Sequence, residues 1–367
     1  MFEKFASGLV QLQVKFPKFF LFAFLLINLA FIPGIFNLVS NVEPSLERVL
    51  PQNIPEIQTM NDMRGEFGAD MIYLVLEGNG RTVDMRDPEV LRYINLLSEK
   101  IETEENVLEV QSVTTFVGVP KTLYESQDLI AQTPQVNTFI NDDYSLAVIA
   151  IRTNTGSSAE IINKVVEQIQ DDIESLEVYN PHLSLSITGF SAIDRATFNI
   201  IINDFLKITI VSMIGISIIV FFTFKSFVKG MLPMAVVMNA LIWTMGIVGY
   251  LGFTITVVSM VSAAMIMGLG IDFGIHQVHS YFEARKKHQP KKALESVMEE
   301  LLRAMFGASM TTIAGFLALL FGVLPAMKTL GVILAIGIFS TLIGAILLLP
   351  VLIYLYDKGQ TLDSHSA

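Results

Sequence analysis

The sequence predicts a polytopic α-helical membrane protein with six transmembrane helices, one followed by five, and an α+β domain inserted between the first and the second. Three observations predict it. Hydrophobic residues make up 52% of the 367 and charged residues only 16%, with a mean hydropathy of +0.56, whereas a soluble protein carries roughly a quarter charged residues. The apolar residues gather in six runs of the length that a helix needs to cross the hydrocarbon. The charges are segregated: net charge is −11, but Ser40–Asp204 holds 27 acids and 10 bases while the rest holds 8 acids and 14 bases.

The elements follow in order. Met1, Phe2, Phe5, Leu9 and Leu12 stand among polar neighbours, so residues 1–18 read as an amphipathic segment at the membrane surface. Lys15 and Lys18 precede a first span over 19–39, broken only by Asn28, Pro33-Gly34 and Asn37. It is longer than a signal-peptide core and no small-residue cleavage pattern follows, so it reads as an uncleaved helix.

The acidic block, 40–204, alternates in period. MIYLVLE at Met71–Glu77 reads as a strand, and Asp87 before Pro88 opens a helix over Pro88–Glu102. Val107–Val117 reads as a strand, and a polar, proline-marked insertion spans Pro120–Asn141. Tyr144–Arg152 is a strand, Ser157–Leu176 a helix and Leu183–Thr188 a strand. The pattern βαβ, insertion, βαβ predicts a split, ferredoxin-like domain. Gly189 ends it, and Ser191–Phe205 is expected to run helically into the second span, an element able to couple domain to membrane.

The five later spans, within a membrane domain over 205–356, are Phe205–Phe224, Gly230–Phe253, Thr254–Phe282, Met305–Met327 and Thr329–Tyr356. The loop at 283–304 contains PKKALESVMEELLR (Pro290–Arg303), expected as a surface helix on the inner leaflet. Residues 357–367 form a tail. Lys4, Lys15 and Lys18, then Lys225 and Lys229, then Arg285, Lys286, Lys287, Lys291, Lys292 and Arg303 fall on one face of a six-span layout, while the opposite short loops carry only Lys328. Basic residues near helix ends stay inside, so both termini are expected in the cytoplasm and 40–204 outside the cell membrane. Tyr281, Tyr354 and Tyr356 are expected at the inner interface.

Several functions are excluded. The acidic block argues against nucleic-acid binding. Cysteine is absent, which rules out disulfides, thiolate metal sites and a thiol nucleophile. No G-x-x-x-x-G-K-[ST], H-E-x-x-H or G-x-S-x-G occurs, leaving ATP-driven pumping, metalloprotease and hydrolase chemistry without support. Neither an enzyme nor a cofactor is expected.

One acid lies deep in a span: Asp272, in AMIMGLGIDFGIHQVHSYF. A charge at membrane depth costs roughly 2.5–3.5 kcal/mol on insertion scales and is usually functional. His276 and His279, four and seven residues on, share its helical face, and desolvation favours the neutral form of a carboxylate. The three read as a proton relay toward the cytoplasm, with His279 also suited to a plain interfacial position. The alternative is a structural Asp bonded to a neighbouring helix. Gly268 lies on the same stripe, with Gly270 and Gly274 flanking Asp272, and small residues admit close helix approach. Ser309, Thr311 and Thr312 are candidates to hydrogen-bond Asp272, although such hydroxyls also bond their own helix. Thr312 and Gly315 share the face expected to pack on the fourth span. Asn239 and Ser340-Thr341 read as interhelical glue.

The chain resembles one repeat of the resistance–nodulation–division (RND) superfamily. GLGIDFGIHQVHSYFEA resembles the G-x-x-x-D-[YF]-x-x-H pattern of its MMPL and hydrophobe/amphiphile exporter branch, AMFGASMTTIAGFLALLF resembles that branch's fifth helix, and the segment order matches along essentially the whole chain. Patched-like and sterol-sensing proteins share the layout and the G-x-x-x-D, here Gly268 to Asp272. The resemblance implies a porter-type external domain and export of lipids or other amphiphiles driven by inward proton flow, with Asp272 as the carrying acid. Phe273 stands where a Tyr is common, so a hydroxyl partner is missing there. Members usually carry two repeats, so a homo-oligomer in the membrane lipid is implied, a dimer with one Asp272 in each half before a trimer; the alternative is a natural chain cut short. Rival classes are an accessory of protein export resembling SecD and SecF, and a lipid sensor without transport.

Overall fold

The computed structural model describes residues 2–40, 49–59, 62, 70–78, 83–154 and 159–363. The chain forms two compact units, one of residues 52–199 and one of residues 1–51 with 200–367.

The first of these is built on four strands, β1 (Asp70–Gly78), β2 (Val107–Gln111), β3 (Leu146–Thr153) and β4 (Leu183–Gly189), in the order β2-β3-β1-β4 with every neighbouring pair antiparallel. Two long helices, numbered after the two that open the chain, cover the sheet: α3 (Pro88–Glu102) and α6 (Ala159–Ser175). The α3 start is a local consequence of sequence, because the Asp87 carboxylate accepts from the Glu89 amide at 2.9 Å and Pro88 needs no partner. Leu91, Ile94, Leu97 and Ile101 from α3 and Val165, Val166 and Ile169 from α6 bury against Ile72, Leu74 and Leu76 of β1 and Ala147, Ile149 and Ile151 of β3. The strand expected over Val107–Val117 stops at Gln111, and α4 (Val113–Val117) follows. Val113, Thr114 and Thr115 are β-formers by shape, but the Ser112 amide donates to Thr115 Oγ1 at 3.0 Å and turns the chain into a helix. The insertion contains α5 (Leu123–Gln132) and a 3₁₀ turn at Pro134–Thr138.

The other unit is helical. It contains α1 (Phe2–Lys15), α2 (Pro17–Ser40), α7 (Phe190–Phe224, begun in the sheet unit), α8 (Phe227–Tyr250), α9 (Ser262–Arg285), α10 (Pro290–Leu317), α11 (Pro325–Ile343) and α12 (Leu349–Asp363). Among the described residues, six stretches are long and apolar enough to cross a membrane: Pro17–Leu38, Ile200–Phe224, Phe227–Tyr250, Ser259–Arg285, Pro290–Phe321 and Pro325–Gly359. The chain is a multi-pass membrane protein. Of the expected tail, residues beyond 363 lie outside the described ones.

Backbones meet directly in this unit. Gly34 of α2 lies against Gly246 and Gly249 of α8, and the contact continues where Trp243 Nε1 donates to Asn28 Oδ1 at 2.9 Å and stacks on Phe24 with ring centres 5.2 Å apart. Three expectations are corrected. The fourth span starts at Ser262 after a 3₁₀ turn at Ser259–Val261, so Thr254–Val258 lies outside the helix. The loop expected at 283–304 shrinks to a few residues after Arg285, because Pro290–Arg303 is the first half of α10. Its apolar face does not lie in headgroups: Ala293, Leu294, Val297, Met298 and Leu302 are buried, most of them in a cluster with Ala6 and Val10 of α1 and with Tyr281. Tyr281, expected at the inner boundary, is accordingly covered by protein side chains.

In the sheet unit, Asp84 accepts from Arg86 Nε at 2.9 Å and Nη2 at 2.8 Å. The guanidinium holds its carboxyl below the usual carboxylate range. A lowered folded value adds stability above about pH 4, and that stability is lost as pH falls through the folded value. For a partly exposed pair the amount is about 1 kcal/mol or less. Asp84→Asn is therefore expected to lower the melting temperature near neutral pH and to flatten its fall between about pH 5 and about pH 3, measured by scanning fluorimetry of the full chain.

Candidate functional site

The orientation of α9 decides what this protein presents. Its glycines are asymmetric. A Cβ on Gly270 would lie 2.7 Å from Thr341 Cγ2 on α11, and one on Gly274 would lie 2.7 Å from Pro233 Cβ on α8. Real side chains cannot approach so closely, so only glycine lets the α9 backbone sit against the Thr341 side chain and against Pro233. At about 100° per residue, Gly270 and Gly274 are about 40° apart, and Asp272 lies about 200° from Gly270. Packing the glycine face inward therefore turns Asp272 outward.

The rest of the outward face follows from the same geometry. Asp272, His276 and His279 are all exposed on the helical unit, while Ile271, Gln277 and Val278 are buried. Met265 (37% exposed) and Leu269 (41%) extend the stripe toward the N-terminal end of α9. The spacing Met265, Leu269, Asp272, His276, His279 alternates four and three, the 3.5-residue repeat of a helix seam. Asp272 has no hydrogen-bond or ion-pair partner among the described residues. Nothing stands within 4 Å of the place where a Cβ on Gly268 would be.

The neighbouring α10 adds small residues to this open face. Gly307, Ala308, Thr311, Ala314 and Gly315 are exposed, and the sites beside Gly307 and Gly315 are open space. The hydroxyls do not reach Asp272. Thr311 Oγ1 donates to Ala308 O at 2.9 Å, as does Thr312 Oγ1, and Ser309 turns inward, fully buried with its Oγ unpartnered among the described residues. Gly315 does not pack on α9 as expected. Phe273 is half-buried against the cluster that contains Leu232 and Val236, flanking the stripe. The structure thus brings Asp272, His276, His279 and Gly268 onto one face and leaves Thr311, Thr312 and Gly315 on a parallel one.

Two features escaped sequence reasoning. Arg285 Nε, at the end of α9, donates to Asp357 Oδ2 on α12 at 2.8 Å; opposite charges at the same end of two spans were the available signal. Gln277 is fully buried, with Nε2 3.0 Å from Met298 Sδ and Oε1 unpartnered among the described residues. Among the described residues no three His, Asp or Glu side chains converge as metal ligands.

Comparison with known proteins adds context. The sequence profile of the MMPL family matches residues 48–362. MJ1562 of Methanocaldococcus jannaschii, named only as a membrane protein, is 29% identical over 356 residues, 93% of this chain and 92% of its own length. MmpL4 of Mycobacterium leprae, named a probable transport protein, is 26% identical over 333 residues, 85% of this chain but 32% of its own length. MmpL5 of Mycobacterium tuberculosis, named a siderophore exporter, is 24% identical over 261 residues, 69% of this chain and 26% of its own length. The chain thus spans about a third or less of these mycobacterial relatives.

The glycine argument has a direct check. Gly274→Val drives a side chain into Pro233 and is expected to cost about 1–3 kcal/mol by overpacking. Gly215→Val on α7, in open space, is expected to leave stability within about 0.5 kcal/mol. Thermal unfolding of the two purified variants in detergent measures the contrast; equal losses contradict it.

Proposed function

The chain belongs to the MMPL family, and on that premise we propose that it is an RND-type exporter of lipids or other amphiphiles, driven by the proton-motive force, with Asp272 as the proton-carrying residue. The observation that carries the reading is the stripe on α9: the one acid deep in a span, in register with two imidazoles, on a face left exposed among the described residues. The names of the mycobacterial relatives, transport protein and siderophore exporter, support export. An open apolar groove of about 330 Å³ along α7, lined by Met213, Ile214, Ile218, Phe221 and Phe222 with Phe227, supports an acyl or similarly apolar substrate.

A bare carboxylate facing lipid is costly, so the stripe needs a cover. We take that cover to be a second copy of the chain, packed along the 3.5-residue seam so that two Asp272 groups face each other across a two-fold axis. The membrane is the cell membrane, with both termini inside and the sheet unit outside, on the strength of the basic residues near the inner helix ends. The strand order β4-β1-β3-β2 and the antiparallel pairing support a ferredoxin-like porter domain.

In this cycle Asp272 takes a proton, loses its charge, and allows the seam to close; release through His276 and His279 restores the charge and opens it. Each charge that crosses is worth about 2.3 kcal/mol per 100 mV. Because β4 ends at Gly189 and α7 starts at Phe190, a movement of α7 is carried straight into the last strand.

In proteoliposomes under an imposed pH gradient, the wild type is expected to carry proton flux and Asp272→Asn to lose it while remaining monodisperse. Wild-type flux in the variant overturns the role of Asp272. The second copy is tested separately. In this cysteine-free chain, Leu269→Cys is expected to form a disulfide-linked dimer in the membrane on mild oxidation, and Val278→Cys, on the buried face, to form none. The absence of a dimer at both Leu269→Cys and Met265→Cys removes the two-fold seam.

A further inference from the structure

Helix α1 carries three stripes. Ala6, Val10 and Gln13 are buried, none more than 1% exposed, and at about 100° per residue they form one stripe. Phe5 (60% exposed), Leu12 (53%) and Phe16 (49%) form a second, about 110° around the helix. Phe16 belongs to it because its amide still donates to Leu12 O at 2.9 Å. Lys4, Gln11 and Lys15, all exposed, form the third, about 100° further on.

The buried stripe is accounted for within the chain. Ala6 and Val10 join a cluster that contains Leu302 and Met305 of α10 and Leu349 and Ile353 of α12. Gln13 Nε2 donates to Ile346 O at 2.9 Å and to Leu347 O at 3.2 Å, in a π turn over Gly344–Leu348. Pro350, four residues after Ile346, has no amide to offer that carbonyl, and Gln13 supplies the donor. The other two stripes stay exposed among the described residues. Helix α1 ends at Lys15 and the first span begins at Pro17, so their C-terminal ends lie where the chain enters the hydrocarbon. Phe19 and Phe22 of that span are exposed just beyond. Gly8 falls between the aromatic and the basic stripe, with nothing within 4 Å of the place where a Cβ would be. Lys15 Nζ stands at the same junction, 5.2 Å from the centre of the Phe16 ring.

We propose that α1 binds anionic phospholipid. Acyl chains lie against Phe5, Leu12 and Phe16, and phosphate-bearing headgroups lie over Lys4, Gln11 and Lys15, with the exposed Lys18 at the start of α2 beside them. A lipid surface offers an apolar region and a negative one side by side, which is what two adjacent stripes of this chemistry match. An acidic peptide neutralises the lysines and leaves three large apolar side chains in water. A second copy packed about a two-fold axis brings like charges together. The first forty residues hold one acid, Glu3, against Lys4, Lys15 and Lys18, so the charge of the segment suits an anion. The inference goes beyond the transport reading: it concerns the lipid that holds α1 and not the compound carried, and it does not depend on the role of Asp272.

The test places a fluorophore in the aromatic stripe of the full chain, as Phe16→Trp. Trp243, the sole native tryptophan, is buried and stacked on Phe24, and the wild type supplies its background. In phosphatidylcholine proteoliposomes without a gradient, brominated phosphatidylglycerol is expected to quench the reporter at a lower mole fraction than brominated phosphatidylcholine, about fivefold lower for each lysine engaged. Lys4→Gln, Lys15→Gln and Lys18→Gln together are expected to bring the two lipids to equal effect. Salt at about 1 M, where the Debye length is about 3 Å, is expected to do the same with the lysines in place. Phe339→Trp, on α11 and 50% exposed, is expected to show no preference. Quenching by neither lipid at Phe16→Trp overturns the proposal, because the stripe then lies in water or against protein. Equal quenching by both lipids overturns it too, as does a preference that survives the lysine substitutions or appears equally at Phe339→Trp.

Discussion

Backbone contact at two glycines governs the membrane unit. Where Gly270 meets Thr341 and Gly274 meets Pro233, the helices approach to a distance that no larger residue permits, and α9 loses its freedom to rotate. In lipid, where burial of apolar surface drives helix association weakly, close van der Waals contact of this kind holds helices together. The cost of rotating α9 is collision on one side and lost contact on the other. Its ionisable stripe is therefore outward for a reason that lies on its opposite face.

An outward Asp272 has consequences that the rest of the unit must accommodate. Packing within one chain covers Gly274, Gln277 and Val278 and leaves Asp272, His276 and His279 open. The adjacent α10 contributes Gly307, Ala308, Thr311, Ala314 and Gly315, with open space at Gly307 and Gly315. A surface that carries an ionisable stripe at membrane depth, with small residues beside Met265 and Leu269, suits another helix and not acyl chains. By contrast, α7 exposes Ile210, Val211, Ile214, Ile218, Ile219 and Phe222, an apolar surface that lipid covers at no cost. These surfaces thus differ in what each requires of its surroundings.

The sequence was legible where a property is local. The six spans follow from apolar length, and the helix at Pro88–Glu102 has the expected boundaries because Asp87 and Pro88 supply both cap and first turn. That Asp272, His276 and His279 share a face follows from helical spacing alone. The direction of that face did not, because it depends on which neighbours Gly270 and Gly274 meet. Val107–Val117 was misread because β-branched residues outweighed a single hydrogen bond at Ser112. Pro290–Arg303 was misread because amphipathic periodicity states that one face is covered and not by what; α1 covers it. The hydroxyls of Thr311 and Thr312 chose their own helix over the acid. The bond from Gln13 to the π turn joins residues 333 positions apart, and nothing along the chain announces it.

The central claim is the rotational setting of α9, and a spin-label scan of its residues from Met265 to His279 in lipid tests it most directly. Single cysteines are introduced one at a time into the cysteine-free chain, and the mobility of each label is read by electron paramagnetic resonance. The account predicts a helical period in which labels at Met267, Ile271 and Val278 are immobilised, labels at Gly268, Asp272 and His276 are more mobile or show spin–spin broadening from a second copy, and a label at Gly270 or Gly274 destabilises the fold. A period of opposite phase, with Asp272 and His276 among the immobile and unbroadened sites and Ile271 free, contradicts it.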